Sequence, residues 1–227
     1  MILKRWPGWR RRPRRFDRNL NYVDPVTANR HVRGESGLVS TTICAGGQSI
    51  MRLFVALDLP WEVKEQLSDI SFNLNGARWV PTDNFHLTLR FIGEASRLQA
   101  EEIDLALATL RGRSFTFSLS GLGWFEKAGR ASALWVGVER NEQLTRLQAK
   151  VETALHRIGL PPDRRRFTPH VTLARMDVPV TPQLTRFVQA NNLYRSAPIL
   201  AGNVTLFSSF LGKDQPTYTP EAEYALG

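Results

Sequence analysis

Several features are scarce in this 227-residue chain, and each absence excludes something. Cys44 is its single cysteine, so no disulfide within the chain is possible, and a reducing cytoplasm is the expected location. The longest apolar runs, such as residues 53–57, are far shorter than the roughly 20 residues of a membrane helix, and we expect no membrane span. Gly-rich phosphate loops of the P-loop or dinucleotide type are missing as well, so nucleotide-driven chemistry has no support in the sequence.

The positive charge of the chain is concentrated in its first fifty residues. The net charge is +9, but residues 1–50 hold ten Lys and Arg against three Asp and Glu, and residues 51–227 hold twenty against eighteen. The first segment has an arginine-rich stretch at 10–15 and no helical or strand period, so it is predicted to be a basic, disordered extension. Residues 51–227 are near neutral and are predicted to form the folded domain.

The extension of residues 1–50 leaves three interpretations open. It is an upstream start-site error, because Met51 opens the first convincing strand as a native start codon would. Alternatively it is an inert, solvated tail. In the third interpretation it is an RNA-binding arm whose arginines contact phosphates while Trp6, Trp9 and Phe16 stack on bases.

The periodicity of the remaining residues predicts an α+β fold. Apolar residues at helical spacing predict helices at 59–75, 96–110, 141–158 and 182–190, and alternation predicts strands at 51–57, 114–120, 133–138, 199–208 and 218–226. Residues 121–125 are expected to be irregular. In the second helix Ser96 is the expected cap, and the expected buried stripe comprises Leu98, Ile103, Leu105, Ala106 and Leu110. Hairpin-like neighbours argue against a purely parallel sheet.

Two further predicted strands repeat one pattern 84 residues apart. Each carries a His-x-Thr pair in an apolar alternation: His86 and Thr88 in the first, His170 and Thr172 in the second. Because side chains on a strand switch faces at every residue, each histidine shares a face with its threonine. Two similar halves predict a two-lobed, pseudo-twofold body in which antiparallel sheets line a central cleft and helices pack outside.

Two imidazoles that face one cleft suit acid–base catalysis on a phosphate. With an ordinary pKa of about 6.5, one histidine can hold a proton while the other lacks it near neutral pH. Threonine hydroxyls can donate hydrogen bonds to nonbridging phosphate oxygens. Taken singly, a strand histidine is usually a structural residue and a threonine reflects β propensity, so the repeat is what favours function. The other histidines, His31 and His156, lie in the extension and on a predicted helix.

Alternation also suggests supporting residues. Arg90 shares a face with His86, and Arg166 with His170, so each is predicted to bind phosphate, the alternative being a solvated charge at a strand end. Aromatic candidates for stacking on a terminal base are Trp79, Trp124 and Phe125, which are more often core residues. Neither His-x-Thr motif has an adjacent carboxylate or cysteine to complete a zinc site, so we expect no metal and no cofactor.

These motifs and their flanks resemble the 2H phosphoesterase superfamily, and above all its RNA 2',3'-cyclic phosphodiesterases, also called 2'-5' RNA ligase-like proteins. The matching stretches are 51–57, 78–80, 86–94, 134–138 and 167–175, and the likeness covers nearly all of residues 51–227. It implies metal-independent hydrolysis of 2',3'-cyclic phosphate ends of RNA, tRNA fragments among them, to 2'-phosphomonoesters.

The resemblance also implies roles for the residues of the two motifs. His170 would be the base for the attacking water, His86 the acid for the departing 3' oxygen, and Thr88 and Thr172 the phosphate ligands. The residues alone leave the two histidine roles interchangeable. Two alternative functions also stay open: reversible 2'-5' joining of RNA ends, and a non-catalytic module that binds nucleotides or RNA ends. A monomer is the expected state.

Overall fold

The computed structural model describes residues 50–71, 74–212 and 215–227. The predicted extension, Cys44 included, lies outside the described residues except for Ile50, so its three interpretations stay predictions. The monomeric state and the cytoplasmic location stay predictions too. In the described part of the chain, no helix is both long and apolar enough to cross a lipid bilayer.

Ten strands and four α-helices are found in the described residues. The strands are β1 (Ile50–Asp58), β2 (Arg78–Trp79), β3 (His86–Ser96), β4 (Phe115–Phe117), β5 (Leu119–Lys127), β6 (Arg130–Val138), β7 (His170–Pro179), β8 (Ile199–Ala201), β9 (Asn203–Leu211) and β10 (Pro216–Ala225). The helices are α1 (Trp61–Ile70), α2 (Arg97–Leu107), α3 (Glu142–Arg157) and α4 (Pro182–Asn191), and a 3-10 turn spans Thr82–Asn84.

The helix ends follow the capping residues of the sequence. Ser96 caps α2 as predicted, in a reciprocal capping box with Gln99, and the Asn141 side chain accepts a hydrogen bond from the third residue of α3. The predicted buried stripe of α2 is wrong at Leu98 and Leu105, which are 67% and 63% exposed. The buried residues are Ala100, Ile103 and Leu107, because their spacing of three and four follows the helical period.

The prediction that residues 121–125 are irregular is wrong, because β5 runs through them. Gly121 adopts a φ of +70°, which lets the strand bend at a register shift between β5 and β6. Gly123 lies against the indole of Trp135, where a Cβ atom would approach the ring to 2.4 Å. These glycines therefore adapt a strand to its neighbours, whereas in a sequence they resemble a loop.

The strands form one large antiparallel sheet in the order β10-β9-β1-β3-β7-β6-β5, with β2 added to β7, and a separate two-stranded sheet of β4 and β8. Every pairing is antiparallel. With four helices connecting these strands, the predicted α+β class is confirmed.

The order of elements repeats once along the chain. The first half runs β1-α1-β3-α2-β4-β5, with β2 inserted, and the second runs β6-α3-β7-α4-β8-β9. In each half the first strand pairs with the strand that carries the His-x-Thr motif, and the last strand crosses to pair with the first strand of the other half. The two halves meet where β3 pairs with β7, so the topology has the expected pseudo-twofold arrangement.

The core lies on one face of the large sheet, under the helices. One continuous buried cluster unites the strands with the helices, and among its members are Leu57, Leu87, Val171, Ile103 and Val151. The opposite face carries a smaller apolar cluster formed by Phe54, Ala56 and Phe207, against which Tyr218 packs. The two histidine motifs point toward this second face, as their strand register shows.

Candidate active site

The two His-x-Thr motifs meet at the seam between β3 and β7. The strands pair there through Leu87 and Val171, and both side chains are fully buried on the core face. Neighbouring side chains therefore point to the opposite face. Continuing the antiparallel register by one residue in each direction sets Thr172 across from His86 and His170 across from Thr88. The sheet thus brings the four predicted residues together on one face.

Both imidazoles are held in the same way. The Nδ1 atom of His86 lies 2.7 Å from the carbonyl oxygen of Asn84, and that of His170 lies 2.7 Å from the carbonyl oxygen of Thr168. A carbonyl oxygen only accepts hydrogen bonds, so Nδ1 carries the proton in each neutral ring. The Nε2 atom is left as the site of proton exchange in both histidines, and that of His86 lies 3.0 Å from the Thr88 hydroxyl.

His86 lies in an aromatic enclosure. Its ring centroid is 4.8 Å from that of Phe54 and 5.2 Å from that of Tyr218, which approaches edge-on. The resulting loss of hydration lowers the pKa of His86 to about 4, against the raising effects of its Asn84 hydrogen bond and of the Asp58 carboxylate. Asp58 is itself paired with Lys64 at 2.8 Å, which reduces its help to the imidazolium.

His170 has fewer aromatic neighbours. Phe125 meets it edge-on at 4.8 Å between ring centroids, and Trp135 lies 6.4 Å away. Burial lowers the pKa of His170, the hydrogen bond to Thr168 opposes that shift, and the positive charge of Arg175 adds to it. Both histidines are therefore neutral at pH 7 in the ligand-free protein.

Each motif strand has a bulge directly after its threonine. On β3, Thr88 pairs with Ala56 and Arg90 with Val55, so Leu89 is an extra residue. On β7, Thr172 pairs with Trp135 and the next paired residue is Ala174, so Leu173 is extra. A bulge of one residue reverses the faces that follow it. Simple alternation therefore fails beyond Thr88 and Thr172.

The prediction that Arg90 shares the face of His86 is wrong for this reason. Arg90 lies opposite Val55, whose side chain belongs to the core face. Its guanidinium lies 2.9 Å from Glu152 on α3 and 3.7 Å from Asp163, and it donates to the carbonyl of Pro161. The charge of Arg90 is thus balanced by two carboxylates, and the residue ties β3 to the helix layer.

Arg175 is a candidate site residue that alternation missed. By alternation it shares a face with Val171, which is buried, but the bulge at Leu173 moves it to the cleft side, where it is exposed. Its charge affects the pKa values of His86, His170 and Tyr218 together. The signal was available, because a charged residue at a position assigned to the core indicates a bulge.

A cavity of about 300 Å³ opens beside the two motifs. Its lining residues include Thr88 and His170, Phe91 and Phe125, and both predicted arginines, Arg90 and Arg166. Arg166 lies in a loop rather than on a strand, so its place in the cavity follows from the loop and not from alternation. Of the aromatic candidates, Phe125 lines this cavity, whereas Trp79 packs on Phe187 and Trp124 packs against the core.

The chemistry available at this place is proton transfer and anion binding. The two histidines, the two threonines and Arg175 lie on one face of the sheet, and Arg166 lines the adjoining cavity. Within the residues that the structure describes, no group of three or more His, Cys, Asp and Glu is placed to hold a metal ion.

Comparison with known proteins points to one family. The sequence model of the 2'-5' RNA ligase superfamily matches residues 59–200, which contain both His-x-Thr motifs. Two similar curated proteins are named RNA 2',3'-cyclic phosphodiesterase. That of Aeropyrum pernix is 36% identical over 141 residues, which are 61% of this chain and 80% of the relative. That of Escherichia coli is 30% identical over 183 residues, or 77% of this chain and 96% of the relative.

A solved structure of a similar protein also has a similar fold. The crystal structure of Escherichia coli LigT complexed with 3'-AMP is similar with a TM-score of 0.64 and 28% sequence identity, over 78% of this chain and 99% of LigT. The family match covers more than half of the chain, and both motifs lie inside it. The chain therefore belongs to the 2'-5' RNA ligase superfamily.

Proposed function

We propose that this protein hydrolyses 2',3'-cyclic phosphate ends of RNA to 2'-phosphomonoesters by two-histidine acid–base catalysis without a metal ion. The observation that carries the proposal is the matched pair of imidazoles, each fixed through Nδ1 to a backbone carbonyl, so that Nε2 of each ring is left for proton exchange on the same face. Three similar curated proteins named RNA 2',3'-cyclic phosphodiesterase support it.

The reaction is an in-line displacement at phosphorus. Nε2 of His170 takes a proton from water as the water oxygen bonds to phosphorus. The bond from phosphorus to the 3' oxygen breaks, and Nε2 of His86 donates a proton to that oxygen. The hydroxyls of Thr88 and Thr172 hold nonbridging oxygens, and the positive charge of Arg175 stabilises the added negative charge of the transition state.

Substrate binding has to change the protonation of His86. In the ligand-free protein its pKa of about 4 leaves it neutral at pH 7, whereas a general acid needs a proton. A bound cyclic phosphate brings a negative charge to Nε2 and so favours the imidazolium. Binding of the anionic substrate thus favours the protonated His86 that acts as the acid, whereas both histidines are neutral in the protein without substrate.

The shape of the site favours hydrolysis over joining of RNA ends. The cavity of about 300 Å³ is at the lower end of the range for small-ligand sites and suits one nucleotide end. Joining requires a second RNA end held beside the first in place of water.

Product analysis tests the proposal. An oligonucleotide with a 2',3'-cyclic phosphate end should yield a 2'-phosphomonoester at the full-chain protein and at a chain beginning with Met51. Mixing it with a 5'-hydroxyl oligonucleotide separates hydrolysis from joining on a gel. Binding of the cyclic end without any product after long incubation would contradict the proposal and favour a binding module.

A further inference from the structure

Three consecutive arginines follow α3, at the rim of the cavity. Arg165 makes two hydrogen bonds to the Asp163 carboxylate, at 3.0 and 2.8 Å, which hold the pKa of Asp163 at about 2. In the described parts of the chain, neither Arg164 nor Arg166 takes part in an ion pair. Both are exposed, so two guanidinium groups are free to meet an anion.

The loop that carries these arginines is anchored to the rest of the fold. Asp163 lies 3.7 Å from Arg90 of β3, and its backbone N–H donates to the Glu152 carboxylate of α3 at 2.9 Å. Arg90 also donates to the carbonyl of Pro161. These bonds fix the loop from both sides, which gives Arg164 a defined backbone position.

A second depression of about 200 Å³ adjoins the cavity at this loop. Arg90, Asp163 and Arg165 line both the depression and the cavity, so the two lie next to each other at these residues. Arg166 lines the cavity and Arg164 lines the second depression. Arg90 and Arg165 pair with the carboxylates at 152 and 163, whereas the arginines at 164 and 166 add two positive charges that these carboxylates do not pair with.

We infer that the second depression binds the phosphate on the 5' side of the terminal nucleotide, with Arg164 as its cation. The inference rests on the proposed function, which places the cyclic phosphate at the histidines and the terminal nucleoside in the cavity. RNA continues from that nucleoside through its 5' oxygen, so the next group along the strand is a phosphate. A depression that borders the cavity and is lined by Arg164, which makes no ion pair with any described residue, complements that group.

This subsite defines the substrate class. Phosphate contacts carry no base information, so the contact favours any RNA end over a cyclic mononucleotide with a free 5' hydroxyl. The domain as a whole is near neutral, so the preference depends on this local charge and not on a general attraction for nucleic acid.

Two ligands that differ by one phosphate test the inference on the full chain. Calorimetric titration gives the dissociation constants of adenosine 2'-phosphate and adenosine 2',5'-bisphosphate, and we expect the wild-type protein to prefer the bisphosphate. Arg164→Gln should reduce that preference about fivefold, and Arg164→Glu should reduce it further. In both variants the affinity for the bisphosphate should also depend less on salt concentration than in the wild type, because one charge–charge contact that salt screens is lost.

The matched control is Arg186→Gln, which removes an exposed arginine of α4 that lines neither depression. It should keep the wild-type preference. Equal affinity of the wild type for both ligands would overturn the inference, and so would a preference that survives both Arg164 substitutions. Because affinity is measured without turnover, these outcomes are distinct from a failure to hydrolyse cyclic phosphates, which would contradict the proposed function instead.

Discussion

The two halves of the molecule share one backbone arrangement around their histidines but place different side chains on it. In both halves a backbone carbonyl two residues upstream holds the histidine Nδ1, and in both the strand bulges at the leucine after the threonine. After the bulge, however, the first half places Phe91 on the cleft side and the second half places Arg175 there. Equivalent backbone positions thus supply an aromatic ring on one side and a cation on the other.

The same contrast extends to the histidines. Phe54 and Tyr218 enclose His86, whereas His170 has Phe125 edge-on and Trp135 farther away; the charge of Arg175 acts on both rings. A symmetric pair would have equal pKa values and no reason to divide the acid and base roles. The repeated backbone arrangement therefore gives the geometry of a two-histidine site. The enclosure of His86 disfavours its protonation, so its proposed role as the acid depends on the charge of the bound phosphate.

The largest expected effect comes from removing either histidine. His86→Ala and His170→Ala should each lower kcat on a cyclic-phosphate oligonucleotide by about 10²- to 10⁴-fold, because each loses one proton transfer. His156→Ala, an exposed residue of α3, is the matched control and should retain full activity, and EDTA should leave the wild type unaffected. Wild-type turnover by either single variant would exclude the two-histidine mechanism.

A change of leaving group should separate the two roles. A cyclic substrate with sulfur in place of the 3' oxygen needs no acid, since a thiolate departs without a proton. We expect His86→Ala to recover to within about tenfold of wild type on that substrate, while His170→Ala stays inactive. Recovery of His170→Ala alone would instead make His170 the acid and His86 the base.

The two bulges mark how far along each motif strand the sequence predicts the faces of the side chains. The repeat of His-x-Thr and the alternation around it locate His86, Thr88, His170 and Thr172, because up to the threonine both strands are regular. Beyond that point alternation places Arg90 on the face of His86 and Arg175 on the core face, and both faces reverse, although Arg90 still lines the cavity beside the motifs. One extra residue per strand is a matter of local pairing, which residue types alone do not specify.

Sequence patterns also do not predict contacts between segments that are far apart in the chain. Tyr218 lies 132 positions after His86 in the chain, and β10 brings it near only because β9 pairs with β1. The low pKa of His86 depends on this long-range packing. The α+β class and the helix caps, by contrast, depend on local patterns and are predicted correctly, with Ser96 as the clearest case.

A smaller effect is expected in the dependence of rate on pH. The profile of kcat/KM reports the protonation of the free protein, in which one histidine must be protonated and the other neutral. Burial lowers both pKa values below 6.5, that of His86 to about 4. The profile of kcat/KM should therefore peak below pH 6.5 and decline above it by up to tenfold per pH unit. The profile of kcat should lie at higher pH, because bound phosphate favours the imidazolium. A kcat/KM that stays level up to pH 8 would show that burial does not govern the pair.

The smallest expected effect is on stability, and it sharpens the contrast between the halves. An unfolded histidine gains a proton near pH 6.5, whereas folded His86 resists protonation down to about pH 4, so acid favours unfolding. The stabilisation is complete above pH 6.5 and is lost as the pH falls toward 4. When the pH is lowered from 7 to 5, the free energy of unfolding measured in urea titrations should fall in the wild type by about 1–2 kcal/mol more than in His86→Gln. His156→Gln should match the wild type, and His170→Gln should fall between them because its ring is less enclosed. An equal loss of unfolding free energy in His86→Gln and the wild type would show that the folded protein does not desolvate the His86 ring, and it would remove the distinction between the two halves.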